Sequence, residues 1–261
     1  MPYKILFLDI DGTILKPDHT YTSSTKDAIN QLQENGIEVF LATGRPIHEI
    51  AELADELRIT SFIGYNGAHA IYQKESIIDE PMNPDTVAAF LQITAEHGQE
   101  IVFYTDEKNY FTALDTPEVN QFIETFQMKK NEYFTPDIMD KVLGATIINM
   151  KSEAIVHYDI DATIHLSQVN ITGVEHCYDI IRKTVNKGEA IKRVLNRLDM
   201  PKERAIAFGD GMNDKEMLQA VGEGFAMGNA NPDLLQYANR KTTSVEDSGI
   251  FNGLKELGLV N

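Results

Sequence analysis

Apolar residues fill consecutive positions at Ile5–Leu8, Val39–Ala42 and Ala205–Phe208. Runs of this kind, without alternation, predict strands buried on both faces, as in a parallel sheet covered by helices. Between the runs the apolar positions take helical spacing. From about Ser24, residues Ala28, Ile29 and Leu32 share one face, and Gly36 marks the stop. Pro46 sits near the first turn of a second helix carrying Ile47, Ile50, Ala51, Ala54 and Leu57. The second strand is Ile37–Ala42 and the third Thr60–Tyr65. This β-α-β-α-β order implies a parallel sheet with right-handed crossovers.

The rhythm changes near Pro81 and Pro84. A helix is predicted over Asp85–His97, then short alternating runs at Ile101–Tyr104 and Tyr110–Ala113. Further strands are predicted at Gly144–Met150, Thr163–Leu166 and Glu175–Ile181, with a helix at Ser152–Asp161. Strands grouped around helices suggest an α+β module. From Lys187 the first rhythm returns: a helix over Gly188–Leu198, a strand at Arg204–Phe208, a helix at Lys215–Val221 and a strand at Gly224–Met227. The pattern therefore predicts one α/β domain built from residues 1–82 and 185–261, interrupted by an inserted α+β module at 83–184. No internal repeat or low-complexity tract is visible.

Composition narrows the function classes. The 261 residues include 23 Lys+Arg and 40 Asp+Glu, a formal net charge of -17. Such an excess of acid disfavours nucleic-acid and anionic-membrane partners, whose surfaces are themselves negative. It leaves a small anionic substrate at one local site open. The segment 83–184 holds 16 acidic and 7 basic residues, so it is the more acidic part. A single cysteine, Cys177, excludes an intrachain disulfide and fits a reducing compartment. The apolar run Ile5–Leu8 is too short for a signal peptide or a spanning helix, so a cytoplasmic location is expected.

Four clusters carry candidate chemistry. Asp9-Ile10-Asp11-Gly12-Thr13 follows the first strand, where ligands of open α/β sheets bind. If extended geometry persists, Asp9 and Asp11 point to one side, and Gly12 lets the backbone approach a ligand. Two carboxylates at a buried strand end need a cation or hydrogen bonds; the alternative is a solvated Asp-Gly turn. Gly209-Asp210-Gly211-Met212-Asn213-Asp214 repeats the arrangement after another strand. Clusters at two strand ends can converge on one hard cation such as Mg²⁺, although Asn213 or Asp214 also suits a helix cap. Ala42-Thr43-Gly44-Arg45-Pro46 offers a hydroxyl and flexible amides before a helix, suited to an anion or, for Thr43, to simple capping. Lys187 stands at a helix start, against the macrodipole, which calls for an acid or anion nearby; a lone solvated lysine is the plain alternative.

Taken together, these motifs resemble the haloacid dehalogenase (HAD) superfamily of aspartate-dependent phosphatases, over the whole chain. Asp9-x-Asp11-Gly12-Thr13 is similar to its first motif, Thr43 to its second, Lys187 to its third and Gly209-Asp210-x-x-Asn213-Asp214 to its fourth. Ala42-Thr43-Gly44-Arg45 and Asn66-Gly67-Ala68, with a large insert between the second and third motifs, resemble the Cof-type branch. The resemblance implies an α/β, Rossmann-like parallel-sheet core with an inserted C2B-type cap that closes over it and supplies substrate contacts.

It further implies a Mg²⁺-dependent phosphatase of small phosphorylated metabolites, sugar phosphates or nucleotide-like phosphomonoesters. Asp9 would be the nucleophile, forming an aspartyl-phosphate. Asp11 would be the general acid, then the base. Thr43 and Lys187 would hold phosphoryl oxygens, with Gly12, Gly44, Arg45 and Asn213 as supporting binding residues. The implied metal set is Asp9, Asp11 through its main-chain carbonyl, Asp210 and Asp214, the last orienting the metal's surroundings. A phosphotransferase or mutase using the same aspartyl-phosphate, or a noncatalytic phosphate-binding regulator, are the alternatives. The pattern Gly222-x-Gly224-x-x-x-Gly228 resembles a dinucleotide fingerprint, but it precedes a strand instead of following one. Cys177 and the seven histidines show no nucleophile or metal-ligand setting. Oligomeric state is open.

Overall fold

The structure, a computed structural model, describes residues 2–169 and 171–261. In chain order the elements are β1 (Ile5–Leu8), α1 (Ser23–Glu34), β2 (Glu38–Ala42), α2 (Ala51–Leu57), β3 (Ser61–Gly64), β4 (His69–Tyr72) and β5 (Glu75–Asp79). Next come α3 (Pro84–Glu96), β6 (Glu100–Tyr104), β7 (Asn109–Phe111), α4 (Pro117–Phe126), β8 (Asn131–Tyr133), β9 (Gly144–Ile148), β10 (Ile164–Gln168) and β11 (Tyr178–Arg182). The chain ends with α5 (Lys187–Arg197), β12 (Ala205–Gly209), α6 (Lys215–Gln219), β13 (Glu223–Ala226), β14 (Arg240–Lys241) and α7 (Gly249–Glu256). Contacts divide it into two compact units, Met1–Asp79 with Asn186–Asn261, and Glu80–Val185.

The first unit holds an eight-stranded sheet in the order β14-β13-β12-β1-β2-β3-β4-β5. It is parallel from β14 to β3, as the unbroken apolar runs predict. Alternate residues of β1 face opposite helical layers. Leu6 and Leu8 pack with Ile29, Leu32, Ile250 and Leu254. Ile5 and Phe7 pack with Ile191, Val194, Leu195 and Leu218. Each fully buried side chain of this kind contributes roughly 1.5–3 kcal/mol. Register decides where the chemistry emerges. Leu8 of β1 lies opposite both Phe208 of β12 and Leu41 of β2, so three neighbouring strands end level with one another.

The sheet extends beyond the predicted strands through an antiparallel hairpin, β4 and β5, on the edge beyond β3. Tyr72 and the outer positions of β5 are part-exposed, so this edge lacks the solid apolar run that marks a central strand. The helix expected after Pro46 is broken: Ile47–Glu49 is a 3₁₀ turn, and α2 begins only at Ala51. Helix α7 and the two-residue β14 fall outside the predicted set. The three glycines at 222, 224 and 228 are packing residues. A Cβ on them would fall within 2.7 Å of Glu203 Cα, 2.5 Å of Leu218 O and 2.5 Å of Ser244 N respectively.

The second unit holds a six-stranded sheet, β10-β11-β9-β6-β7-β8, antiparallel except for the β7–β8 pair. One face packs Val87 and Phe90 of α3 on Ile101, Phe103 and Ile147. The other packs Val119 and Phe122 of α4 on Val102, Phe111 and Ile148. Helix α4 carries a readable start, since Thr116 accepts from the Val119 amide and Pro117 follows at the first helical position. Two predicted elements are corrected here. Ser152–Tyr158 is a 3₁₀ segment, and the strand expected from Glu175 begins at Tyr178, because the Cys177 amide closes a turn on Val174 O at 2.9 Å. The Arg182 guanidinium donates to the carbonyls of Glu80 (2.8 Å) and Leu143 (3.1 Å), tying the unit's last strand to its first residue. Among the described residues no helix is long and apolar enough to cross a membrane.

Candidate active site

Asp9 is the first residue beyond β1 and is 6% exposed. Lys187, the first residue of α5, is fully buried. Its Nζ donates to Asp9 Oδ1 at 2.6 Å and to Asp214 Oδ1 at 2.6 Å. A cation at a helix N-terminus opposes the macrodipole, and here two carboxylates compensate it. Asp214 is fully buried as well. Its Oδ2 accepts the amides of Asp210 and Gly211, each at 3.0 Å, so both of its oxygens are engaged. Asp214 precedes α6 but does not cap it through its side chain, which instead holds the 210–211 amides and Lys187.

Asp210 follows β12. Its Oδ1 accepts from Thr13 Oγ1 at 3.2 Å, and its Oδ2 lies 3.4 Å from Asn229 Nδ2. Gly12 adopts φ +79°, and a Cβ there would fall 2.2 Å from Asp210 Oδ2. Only glycine lets the first loop pass this close to the fourth. Oxygens of Asp9, Asp210 and Asp214 lie within 4.8 Å of one another.

Three carboxylates against one ammonium make an acid-rich pocket. Burial, with Asp214 adding to it, pushes the Asp9 carboxyl well above its usual range, against the pull of Lys187. Burial and Asp214 likewise raise Asp210 to about 6, opposed by the Thr13 hydrogen bond and by Lys187. Burial by itself would lower the Lys187 ammonium, but Asp214 and Asp9 outweigh it and hold it above its ordinary value. The residual negative charge, the all-oxygen donor set and the close approach of the carboxylates fit a hard divalent cation. Asp9 and Asp210 are the side chains suited to ligate it, and Asp214 is suited to orient Lys187 and the 210–211 loop.

The condition for Asp9 and Asp11 to share one side, extended backbone, is not met beyond Ile10. The backbone stops being extended at Ile10, whose carbonyl accepts the amides of Ile14 (2.9 Å) and Leu15 (2.8 Å). The Asp11 side chain is 52% exposed and meets Arg45 in a two-pronged pair, Nε to Oδ2 at 2.7 Å and Nη2 to Oδ1 at 2.6 Å. Arg45 is therefore committed to Asp11.

Thr43 emerges from β2 and is buried. Its amide donates to Ile63 O at 2.8 Å, and its Oγ1 accepts the Arg45 amide at 3.1 Å. It shapes the Gly44–Arg45 turn; the 3₁₀ turn that follows is preceded by Pro46 with no side-chain cap. Gly44 lies beneath the Asn66 side-chain amide, 3.1 Å from a Cβ placed on it. Asn213 is exposed and donates through Nδ2 to Asn66 Oδ1 at 3.3 Å.

Three residues of this site carry no assigned role in the sequence reading. Thr13 lies inside the first motif, and its proximity to Asp210 is a tertiary fact. Asn66 stands in Asn66-Gly67-Ala68. Asn229 follows β13 and joins three loops: Nδ2 donates to Gly12 O at 2.8 Å, and Oδ1 accepts the Val245 amide at 2.9 Å. Nothing local in Gly228-Asn229-Ala230 signals that. Cys177 is buried, which pushes its thiol up to about 12 and leaves it a poor nucleophile. Among the described residues no histidine joins the acidic cluster.

A family model for haloacid dehalogenase-like hydrolases matches residues 6–254. The Bacillus subtilis (strain 168) protein YkrA is 32% identical over 262 residues, spanning 100% of both chains. The 5-amino-6-(5-phospho-D-ribitylamino)uracil phosphatase YitU of the same organism is 28% identical over 272 residues, covering 98% of this chain and 97% of YitU. Among solved structures, a protein from Geobacillus kaustophilus HTA426 matches with a TM-score of 0.90 at 28% identity, over 99% of this chain and 100% of that one. The HAD subclass IIB sugar phosphatase BT4131 matches with a TM-score of 0.83 at 25% identity, over 98% of this chain and 100% of that one. In that fold the eight-stranded sheet is the core and the six-stranded sheet forms the cap.

Proposed function

The chain belongs to the haloacid dehalogenase-like hydrolase family as a phosphatase of its subclass IIB, and we propose that it hydrolyses small phosphomonoesters, with Mg²⁺, through a phosphorylated Asp9. The observation that carries this reading is the buried Lys187–Asp9 pair beside Asp210 and Asp214, at the level ends of adjacent strands.

Phosphate monoesters are dianions that repel an anionic nucleophile, so positioning and charge neutralisation carry the reaction. Asp9 Oδ attacks phosphorus, and the ester oxygen departs as the bond to it breaks. Asp11 gives that oxygen its proton, which requires the Arg45 pair to open first. A water then attacks the phosphoryl group on Asp9, Asp11 takes the water's proton, and inorganic phosphate leaves as the Asp9 carboxylate is restored. Lys187 keeps Asp9 aligned and, with Thr43, holds the phosphoryl oxygens. Asp9, Asp210 and the Asp11 carbonyl would hold Mg²⁺, which would supply further positive charge at those oxygens. Gly12, Gly44 and Asn213 shape the loops around them.

The substrates are sugar phosphates or nucleotide-like phosphomonoesters. In support, YitU is a phosphatase of a phosphoribitylamino-pyrimidine and BT4131 is a sugar phosphatase. The test is phosphate release from an aryl phosphate and from a panel of phosphorylated metabolites, with and without Mg²⁺, ranked by kcat/KM. Mg²⁺-dependent release that disappears in Asp9→Asn is expected. Turnover that persists in that variant would overturn the nucleophile assignment.

A further inference from the structure

The least ordinary backbone of the first unit lies at the end of β3. Tyr65, Asn66 and Gly67 have φ of +53°, +53° and +111° in succession. Left-handed backbone is unfavourable for any residue with a Cβ and is an outlier for a bulky one such as tyrosine. Tyr65 is nevertheless buried, its ring stacked on His69 with centroids 6.4 Å apart. Gly67 has no alternative, because a Cβ there would fall 2.5 Å from Asn186 O. Strain of this kind persists only where the surroundings enforce it, and it concentrates at functional sites.

The enforcing contacts are visible. The Tyr65 amide donates to Arg45 O at 3.2 Å and the Asn66 amide to Thr43 O at 3.1 Å. The turn is thereby stapled to the backbone of the Thr43–Gly44–Arg45 loop. Its left-handed course lays the Asn66 side chain over Gly44, where Oδ1 accepts from Asn213 Nδ2. One amide thus spans the loops that follow β2 and β12. Thr43 belongs to the first of these and Asp210 to the second.

We propose that Asn66 is a positioning residue for phosphoryl binding, bracing the Thr43–Gly44–Arg45 loop against Asn213. The inference rests on the phosphatase reading above. Asparagine suits the position twice over: its side chain bridges polar groups, and it tolerates left-handed backbone better than other residues with a Cβ.

Asn66→Gly separates the two properties. Glycine accepts the left-handed backbone freely, so the melting temperature should hold while the bridge is lost. The expected result is a roughly 10- to 100-fold fall in kcat/KM, as for a small misplacement of binding groups. Competitive inhibition by inorganic phosphate should weaken in parallel, a readout that a purely structural role would leave unmoved. Asn213→Ala, at an exposed position, reads the same bridge from its other end and serves if Asn66→Gly folds poorly. The double variant should lose no more than the worse single one, since both remove one interaction. Wild-type kcat/KM and phosphate inhibition in Asn66→Gly, or losses that multiply in the double variant, would overturn the proposal. A wild-type protein that releases no phosphate would instead overturn the phosphatase reading.

Discussion

Lys187 Nζ lies 2.6 Å from Asp9 Oδ1, with both residues shielded from solvent and 178 positions apart in the chain. Burying such a pair costs desolvation that mutual attraction alone seldom recovers. A second carboxylate, Asp214, shares the same ammonium at the same distance. The arrangement gives the carboxylate meant to attack phosphorus one fixed direction. It also leaves the pocket short of positive charge, which a bound divalent cation would supply beside the lysine.

Asp9→Asn is expected to reduce phosphate release by on the order of 10³-fold or more, since no other group present replaces a nucleophile. Stability should not fall. Asp9 is one of three crowded carboxylates, and burial together with Asp214 disfavours its charged form. Thermal denaturation without Mg²⁺, beside the activity assay, checks both halves.

Lys187→Met should act in the opposite sense on stability. It leaves Asp9 and Asp214 buried without their shared cation, a loss of about 3–5 kcal/mol for a broken buried pair. Urea denaturation measures it. Saturating Mg²⁺ should restore part of the loss, because the cation binds the same acid-rich cluster in the folded state.

The pH dependence of Mg²⁺ binding follows from Asp210. Its folded-state value of about 6 lies above the ordinary 3.8, so between these the folded protein holds a proton that the unfolded chain has lost. The contribution of Asp210 to metal-free stability therefore declines as pH rises from about 4 to about 6, then levels off. Mg²⁺ needs the ionised carboxylate, so its thermal stabilisation should be large at pH 8 and shrink as pH falls through 6. Equal stabilisation at pH 5 and pH 8 would contradict this role of Asp210.

Asp11→Asn removes the proposed proton donor while leaving Asp9 in place. Aryl leaving groups depart with little help, whereas alkoxides need a proton. The variant should lose roughly 10²- to 10⁴-fold on a sugar phosphate and much less on an aryl phosphate. Arg45→Ala should not reproduce that split, because Asp11 then no longer has to leave the two-pronged Arg45 pair before it acts. Ratios of kcat/KM for the two substrates decide it.

Much of the core was legible along the chain. Unbroken apolar runs at Ile5–Leu8 and Ala205–Phe208 mark strands buried on both faces, and the acids directly after them mark the strand ends where ligands bind. Lys187 was legible only as a conflict, a cation at a helix start. The edge hairpin β4–β5 and helix α4 were missed. The first lacks the dense apolar run of a central strand, whereas the second does carry a local signal, with Val119, Phe122, Ile123 and Phe126 at helical spacing after Thr116-Pro117.

The sequence by itself determined the residue types, the order of the four motifs and the strands that present them, because period and polarity are local properties. Only the tertiary structure decided which groups meet. The parallel register brings β12, β1 and β2 to one level, so Asp9, Thr43 and Asp210 become neighbours across more than 200 residues of chain. The turn after Ile10 sets Asp11 against Arg45. Asn66, Thr13 and Asn229 gain roles only because distant loops are packed against one another. Hydrogen-bond partners of this kind are set by the fold as a whole, and no window of sequence around each residue contains them.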